Sequence, residues 1–212
     1  MIRCLAMLGI AILAGCAGFG VQTALTPTQI AQGDARAVNP AAKCPAAHGG
    51  SGLLADGDFS KATQPASYTL YAKGKKFAPY WKVSNGSIKL ISSTYWSVGG
   101  LCSVDLDAGI GGAIAHKGFA TTANAKYKVT FLFSGNGDGG PTVKSMKVIA
   151  AGHSMTFTWD TSGGNDARHG KYAKKSWSFT AVAPATTLKI VNLDSPPSSY
   201  GPVVAGFSVQ KS

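Results

Sequence analysis

Alternation of apolar and polar residues constrains this chain more than any other feature. Tyr127, Val129, Phe131 and Phe133 alternate with Lys126, Lys128, Thr130 and Leu132. Met155, Phe157 and Trp159 alternate with Thr156 and Thr158, Trp177 and Phe179 with Ser176, Ser178 and Thr180, and Leu188 and Ile190 flank Lys189. A period of two sends successive side chains to opposite faces of a strand, so each run has one dry and one wet face. Further short strands are predicted near 79–83, 87–92, 101–106, 111–116, 143–151 and 203–209. Turn signals separate them: Asn85-Gly86, Gly99-Gly100, the run from Asn136 to Pro141, the run from Ser162 to Asn165, and Pro196-Pro197. Helical periodicity is nearly absent beyond the N-terminal segment, and no repeat marks a propeller or solenoid. Many short strands punctuated by Gly and Pro predict an antiparallel β-sandwich.

The N-terminal segment has a different character. Met1 to Cys16 carries one basic residue, Arg3, then an apolar run from Leu5 to Ala14. That run is too short to span a bilayer and has the length of a signal-peptide core. It ends in Leu13-Ala14-Gly15-Cys16, which resembles a bacterial lipobox with Cys16 as the lipidated residue. The alternative is ordinary secretion with cleavage near Ala24. Residues 1–16 are therefore expected to be a lipoprotein-type signal. Residues 17–50, rich in Ala, Gln, Pro and Gly, are expected to be a flexible tether, and 51–212 a single domain. The chain is expected to be exported, either anchored to a membrane by lipid or secreted. In that oxidising setting Cys44 and Cys102 are an even pair that reads as a disulfide, with free thiols as the alternative.

The charge balance is lopsided: 17 Lys, three Arg and nine Asp, with no Glu, for a net charge of +11. A basic exported protein favours anionic partners, although the lysines are scattered; the nearest clusters are Lys73, Lys75, Lys76 and Lys82, and Lys171, Lys174 and Lys175. No nucleic-acid partner is expected, and a membrane only through the anchor. Without Glu, a glycosidase pair would have to be Asp, and Asp105 and Asp107 are the one candidate pair. Gly152-His153-Ser154-Met155-Thr156 lacks the last Gly of a nucleophile elbow and its strand–turn–helix context; a hairpin turn is predicted there instead. His116 and His169 have no zinc-ligand spacing. No catalysis is expected.

The stretch Ser103 to His116, SVDLDAGIGGAIAH, bears on the fold. Gly109 and His116 stand where an EF-hand loop needs an oxygen ligand and a Glu. No helix follows Gly109-x-Gly111 to make a phosphate site. The stretch reads as a strand from Cys102 to Leu106, a glycine turn from Asp107 to Gly112 and a second strand to His116, with Asp105 on the polar face.

GDFS, SVDLDAGIGGAIAH, TTANAKYKVTFLFSGNGDGGPTVKSMKVIAAG, MTFTWDTSG, WSFTAVAPATTLKIV and SYGPVVAGFSV occur in the order found in the bacterial choice-of-anchor C proteins. These are similar to the plant cell-wall proteins with domain of unknown function 642. The resemblance covers about residues 53–210. It implies a galactose-binding-like jelly-roll β-sandwich and attachment to extracellular or cell-wall polysaccharide, without known catalysis. In such jelly-rolls, acidic residues in the opening N-G-x-F-E and closing G-P-x-L-D-x-V motifs commonly help hold a structural calcium. Here those positions are Ser60 and Ala205, which leaves Asp56 and Asp58 as the candidate ligands.

Sugar sites set aromatic rings against C–H faces and polar groups against hydroxyls. The candidates are Tyr80, Trp81, Tyr95 and Trp96, the turn residues Asn136, Asp138 and Asn165, and a basic, aromatic loop of Lys171, Tyr172, Lys174 and Lys175 that suits an anionic polysaccharide. Trp81 and Trp96 read more readily as core residues than as platforms. The expected function is a non-catalytic carbohydrate-binding module of the envelope or matrix, with a structural or protein-interaction module as the alternative.

Overall fold

The computed structural model describes residues 42–164 and 171–212. The signal, Cys16, the tether as far as residue 41, Asn165 and His169 lie outside the described residues. The described chain is built of strands. The first sheet contains β1 (Tyr68–Ala72), β4 (Ser87–Ile91), β5 (Ser103–Asp105), β8 (Lys126–Gly135), β11 (Ala173–Thr180) and β14 (Pro202–Lys211), in the order β1-β4-β5-β14-β8-β11. The second contains β2 (Lys76–Ala78), β3 (Trp81–Asn85), β6 (Ala113–His116), β9 (Val143–Ala150), β10 (His153–Asp160) and β13 (Leu188–Asn192), in the order β10-β9-β13-β6-β3-β2. A small ladder joins β7 (Phe119–Ala120) to β12 (Ala185–Thr186). Every pairing between these strands is antiparallel. The architecture is the all-β, jelly-roll-type sandwich the sequence implies.

The alternating residues do what their period requires. Tyr127, Val129, Phe131 and Phe133 of β8 are buried between the sheets with Ile114, Met146, Val148, Ile190 and Val204. Phe59 lies at the centre of an edge-to-face cluster, with ring centroids 5.5 Å from Phe77, 5.3 Å from Trp81 and 6.2 Å from Phe207. The predicted hairpin at Gly152 is a two-residue turn: Ala151 and Gly152 both have positive φ, 50° and 79°, the geometry that matches the twist of the flanking strands β9 and β10.

Three features differ from the sequence reading. Strands β1, β2, β7 and β12 are additional; β7 and β12 have two residues each, too few to show a period. Lys174 and Lys175 lie on strand β11, which starts at Ala173, and not in a loop. The turn after Asp105 does join two strands, but β5 and β6 belong to opposite sheets, so it is a crossover over the end of the sandwich.

Residues 42–50, counted with the tether on composition, are pinned to the domain. Cys44 is bonded to Cys102, the Cys44 amide donates to Ala62 O, and Lys43 bridges to Thr63. The following segment runs against β14, where Gly206 has a φ of 59° and the pairing register shifts between Ala205 and Ser208. The approach is close: the Phe207 amide donates to Gly57 O at 2.9 Å, and a Cβ at Gly57 would lie 2.2 Å from Phe207 O. Gly57→Ala should therefore cost about 1–3 kcal/mol or more, because the obstructing atom is backbone and cannot rotate away. Urea unfolding of the variant would measure this, and an unchanged midpoint would refute the close approach.

Candidate functional site

The outer face of the first sheet is where polar and aromatic candidates collect. On β4, Ile88 and Leu90 enter the core, so Lys89 and Ile91 face outward. Across the ladder they pair with Leu70 and Tyr68 of β1. The middle of this face is roofed by the loop 92–101. Under it Ile91, Trp96, Val98, Leu101, Val203 and Ala205 form a second small core. The roof leaves a groove on each side.

The first groove, of about 420 Å³, lies toward β1. Four large side chains lining it are exposed: Tyr68, Leu70, Tyr95 and Tyr200. The Tyr68 and Tyr95 rings lie 6.4 Å apart and tilted by 53°. Lys89 sits between two rings, its Nζ 5.9 Å from the Tyr68 centroid and 5.3 Å from that of Tyr200. It also donates to Ser199 O and lies 3.7 Å from an Asp105 oxygen. Trp96 and Asn136 contribute buried surface and Asp138 an exposed rim. The second groove, of about 840 Å³, lies toward β11. The stapled residues 45–50 and Gly99 to Leu101 line it together with Lys128, Lys174, Lys175 and Gln210; no carboxylate does so. Tyr172 is exposed beside Gly99, at its margin.

A buried polar network supports the first groove. Asp105 points to the outer face, as its alternation predicts, yet it is fully buried because the chain around Asn136 and Gly201 closes over it. Its Oδ1 accepts the amides of Asp107 and Gly201 at 2.9 Å each, and its Oδ2 accepts Asn136 Nδ2 at 2.9 Å. Burial outweighs these contacts and the neighbouring Lys89 and pushes the Asp105 carboxyl up to about 6. Asp107 accepts the amides of Gly109 and Ser198. Lys144, also fully buried, donates to Gly139 O and Tyr200 O at 2.6 Å each. Those two carbonyls belong to the segments carrying the groove's rim, so the ammonium ties the Gly139 turn to Tyr200. Burial pushes Lys144 down, opposed first by Asp194, and burial likewise raises Asp194 to about 6. Asp105 and Asp107 are thus committed to backbone amides and, at Asp105, to the Asn136 side chain, and do not stand as an open acid–base pair.

The structure sorts the sequence candidates. Tyr95, Trp96, Asn136 and Asp138 meet in the first groove, although Asn136 spends its amide on Asp105 and its carbonyl on the Asp138 amide. Lys174 and Lys175 line the second, while Lys171 reaches the other way, to Gly163 O. Trp81 is a core residue and not a platform: it is 1% exposed and its indole N–H donates to Asp56 O at 2.8 Å. Tyr80 lies in the turn between β2 and β3, at the edge of the second sheet, stacked on His116 at 5.9 Å. His116 is buried; Nε2 meets Ala55 O and Nδ1 accepts the Gly118 amide, which fixes the neutral imidazole, and burial lowers its pKa. Tyr68, Leu70, Lys89 and Tyr200 were missed. Tyr68-Thr69-Leu70-Tyr71 is apolar at successive positions, which hides its period, and Lys89 and Tyr200 reach this groove only through the sheet pairing.

Asp56 and Asp58 are mostly engaged by protein donors. Both Asp58 oxygens are occupied, by the Ala47 amide and by the Ser60 amide and hydroxyl. Asp56 Oδ1 accepts the Lys61 amide, and its buried Oδ2 has no protein partner. Asp56 Oδ2 is thus the one carboxylate oxygen of the pair without a protein donor, and no group of three His, Cys, Asp or Glu side chains placed to hold a metal occurs among the described residues. Ala205, at the closing acidic position, is buried in the second core.

Fold and site together define a two-sheet antiparallel sandwich with an exposed tyrosine groove on one face. Residues 52–210 match the model of the family described as "Protein of unknown function (DUF642)", and the chain belongs to that family. No curated protein matches it. Among solved structures, a protein described under "CBM4 structure and function" is 10% identical with a TM-score of 0.40, over 75% of this chain and 99% of that one. A family 35 carbohydrate binding module from Clostridium thermocellum is 16% identical with a TM-score of 0.40, over 69% and 100%. The exo-beta-1,3-galactanase of Phanerochaete chrysosporium is 20% identical with a TM-score of 0.39; the match covers 68% of this chain but only 30% of the galactanase.

Proposed function

We propose that this chain is a non-catalytic carbohydrate-binding module of the cell envelope or extracellular matrix, holding a polysaccharide on the outer face of its first sheet. The observation that carries this reading is the convergence of Tyr68, Tyr95 and Tyr200, all exposed, on one groove with Lys89 and Asp138 beside them. Rings left in water at a concave surface are costly unless they meet a ligand. Tyrosine rings suit the C–H faces of a pyranose, and the charged rim suits its hydroxyls. The adjacent groove, with Lys128, Lys174 and Lys175 and no carboxylate, favours a chain that carries acidic groups. The buried amide-bound aspartates support binding without hydrolysis. Export, with or without lipidation at Cys16, would place the module where such polymers occur.

Electrophoresis through gels containing a retarding polysaccharide tests the assignment. Tyr68→Ala/Tyr95→Ala should weaken binding roughly 10- to 100-fold, from about 1 kcal/mol per ring lost. Lys128→Ala/Lys174→Ala should remove chiefly the salt-sensitive part of the affinity. Retardation unchanged in both variants would exclude this face.

A further inference from the structure

The outer face of the second sheet carries charge that the glycan reading does not use. In register, Lys76 of β2 pairs with Lys82 of β3, Lys82 with Ala115 of β6, and Ala115 with Lys189 of β13. Three lysines therefore stand in one row across four strands spaced about 4.8 Å apart. Lys76 and Lys82 are directly opposite, an arrangement that costs stability when no counter-charge lies between them. Beside this row is a hollow of about 290 Å³ lined by Lys76, Lys82, Lys117, Tyr80 and Thr187, with the small Ala115 next to them. No carboxylate lines it. Lys61 adds a further ammonium nearby, 5.1 Å from the centre of the Tyr80 ring.

The distribution of acid explains why this charge stays unbalanced. Asp56, Asp58, Asp105, Asp107 and Asp194 are buried. Among the described residues only Asp138 and Asp160 are exposed aspartates, on the groove rim and on edge strand β10. Of the lysines, only Lys144 is buried. Burying the acids and exposing the bases gives the sheet an unscreened positive field.

We propose that the hollow ringed by Lys76, Lys82 and Lys117 is a second binding site, which takes the carboxylate, sulfate or phosphate groups of an anionic polysaccharide on the face opposite the tyrosine groove. Lysine ammoniums are mobile point charges and suit repeated anionic groups along a chain; a planar fork for one fixed phosphate is absent. The site is concave and small, and none of the exposed large apolar side chains lies in it, so nothing is offered for insertion into a bilayer. With a site on each face, one molecule can bridge two polymer chains.

The test uses the full chain, dextran sulfate, neutral dextran and phosphatidylglycerol vesicles. Lys76→Glu/Lys82→Glu/Lys117→Glu should weaken dextran sulfate binding at least tenfold and flatten its salt dependence, with no binding to neutral dextran. The charge-matched control Lys43→Glu/Lys126→Glu/Lys211→Glu, at exposed positions away from both faces' sites, should lose less than a third as much. Equal losses in the two variants would show diffuse attraction and overturn the proposal. Vesicle binding stronger than dextran sulfate binding, abolished by the first variant, would overturn it in favour of a membrane surface. The tyrosine variant tests the groove separately: if it binds dextran sulfate like the wild type while the lysine variant does not, this site stands whatever becomes of the groove.

Discussion

Replacing Cys44 and Cys102 by serine should destabilise the domain by about 4 kcal/mol, the loop-closure entropy of a cross-link spanning so many residues. The bond joins positions 58 apart, with Cα atoms 5.6 Å from each other. For a domain of this size such a loss lowers the melting temperature by roughly 10 °C. The effect has a functional side, because the bridge anchors residues 45–50, which line the basic groove. The Ala47 amide that satisfies Asp58 belongs to the same segment. Without the bridge, Asp58 loses a donor and the groove loses a wall. Calorimetry of the oxidised protein and of the serine variant measures the difference. Calcium or a chelator should leave the oxidised melting temperature where it is, since the Asp58 oxygens are already occupied. A stable reduced protein, or one that melts early only in chelator, would show that an ion and not the bridge holds this end.

Lys144→Met should cost about 3–5 kcal/mol, the penalty for removing one partner from a buried charged group. It strips the donor from Gly139 O and Tyr200 O and leaves Asp194 without its compensating ammonium. Removing the cation also raises Asp194 further. The pH dependence follows by linkage. Asp105 has an ordinary value of 3.8 and a folded value of about 6. A folded value above the unfolded one means stability is fully present below pH 4 and is lost as pH rises through 6. The loss is about 3 kcal/mol in full. Of this, about 1 kcal/mol is regained between pH 7 and pH 5, and Asp194, shifted in the same direction to about 6, adds to it. His116 opposes them, because its lowered pKa costs stability once the pH falls below the ordinary histidine value. In a His116→Gln background, guanidinium unfolding should therefore show the protein more stable at pH 5 than at pH 7. Asp194→Asn should remove part of that slope. Equal slopes with and without Asp194 would rule out Asp194 as a contributor.

The sheets were legible because β8, β9, β10, β11 and β14 each have eight residues or more, long enough for a period of two to stand out. The disulfide followed from cysteine parity. Tyr95 and Asp138 could be singled out in the sequence because loop aromatics and turn acids are common ligands, and the fold brings both to the first groove. Trp81 was misleading: a large aromatic at a strand start looks the same in sequence whether it faces solvent or fills the core. Tyr68 and Tyr200 were invisible for a different reason. They lie 132 residues apart, and only the pairing β1-β4-β5-β14 brings their segments to one face. Lys144 was hidden by its type, since lysine in an alternating strand reads as the wet face. Here it occupies an inward position at the strand's end, where two carbonyls receive it.

The central claim is that the outer face of the first sheet binds polysaccharide. A glycan array probed with the full chain at low and high ionic strength, beside Tyr68→Ala/Tyr95→Ala, tests it most directly. The account predicts hits on a related set of polysaccharides, with acidic ones fading at high salt and all of them weakened in the tyrosine variant. A blank array at both ionic strengths, or hits that the tyrosine variant retains in full, would contradict it and point to a protein-interaction module of the envelope.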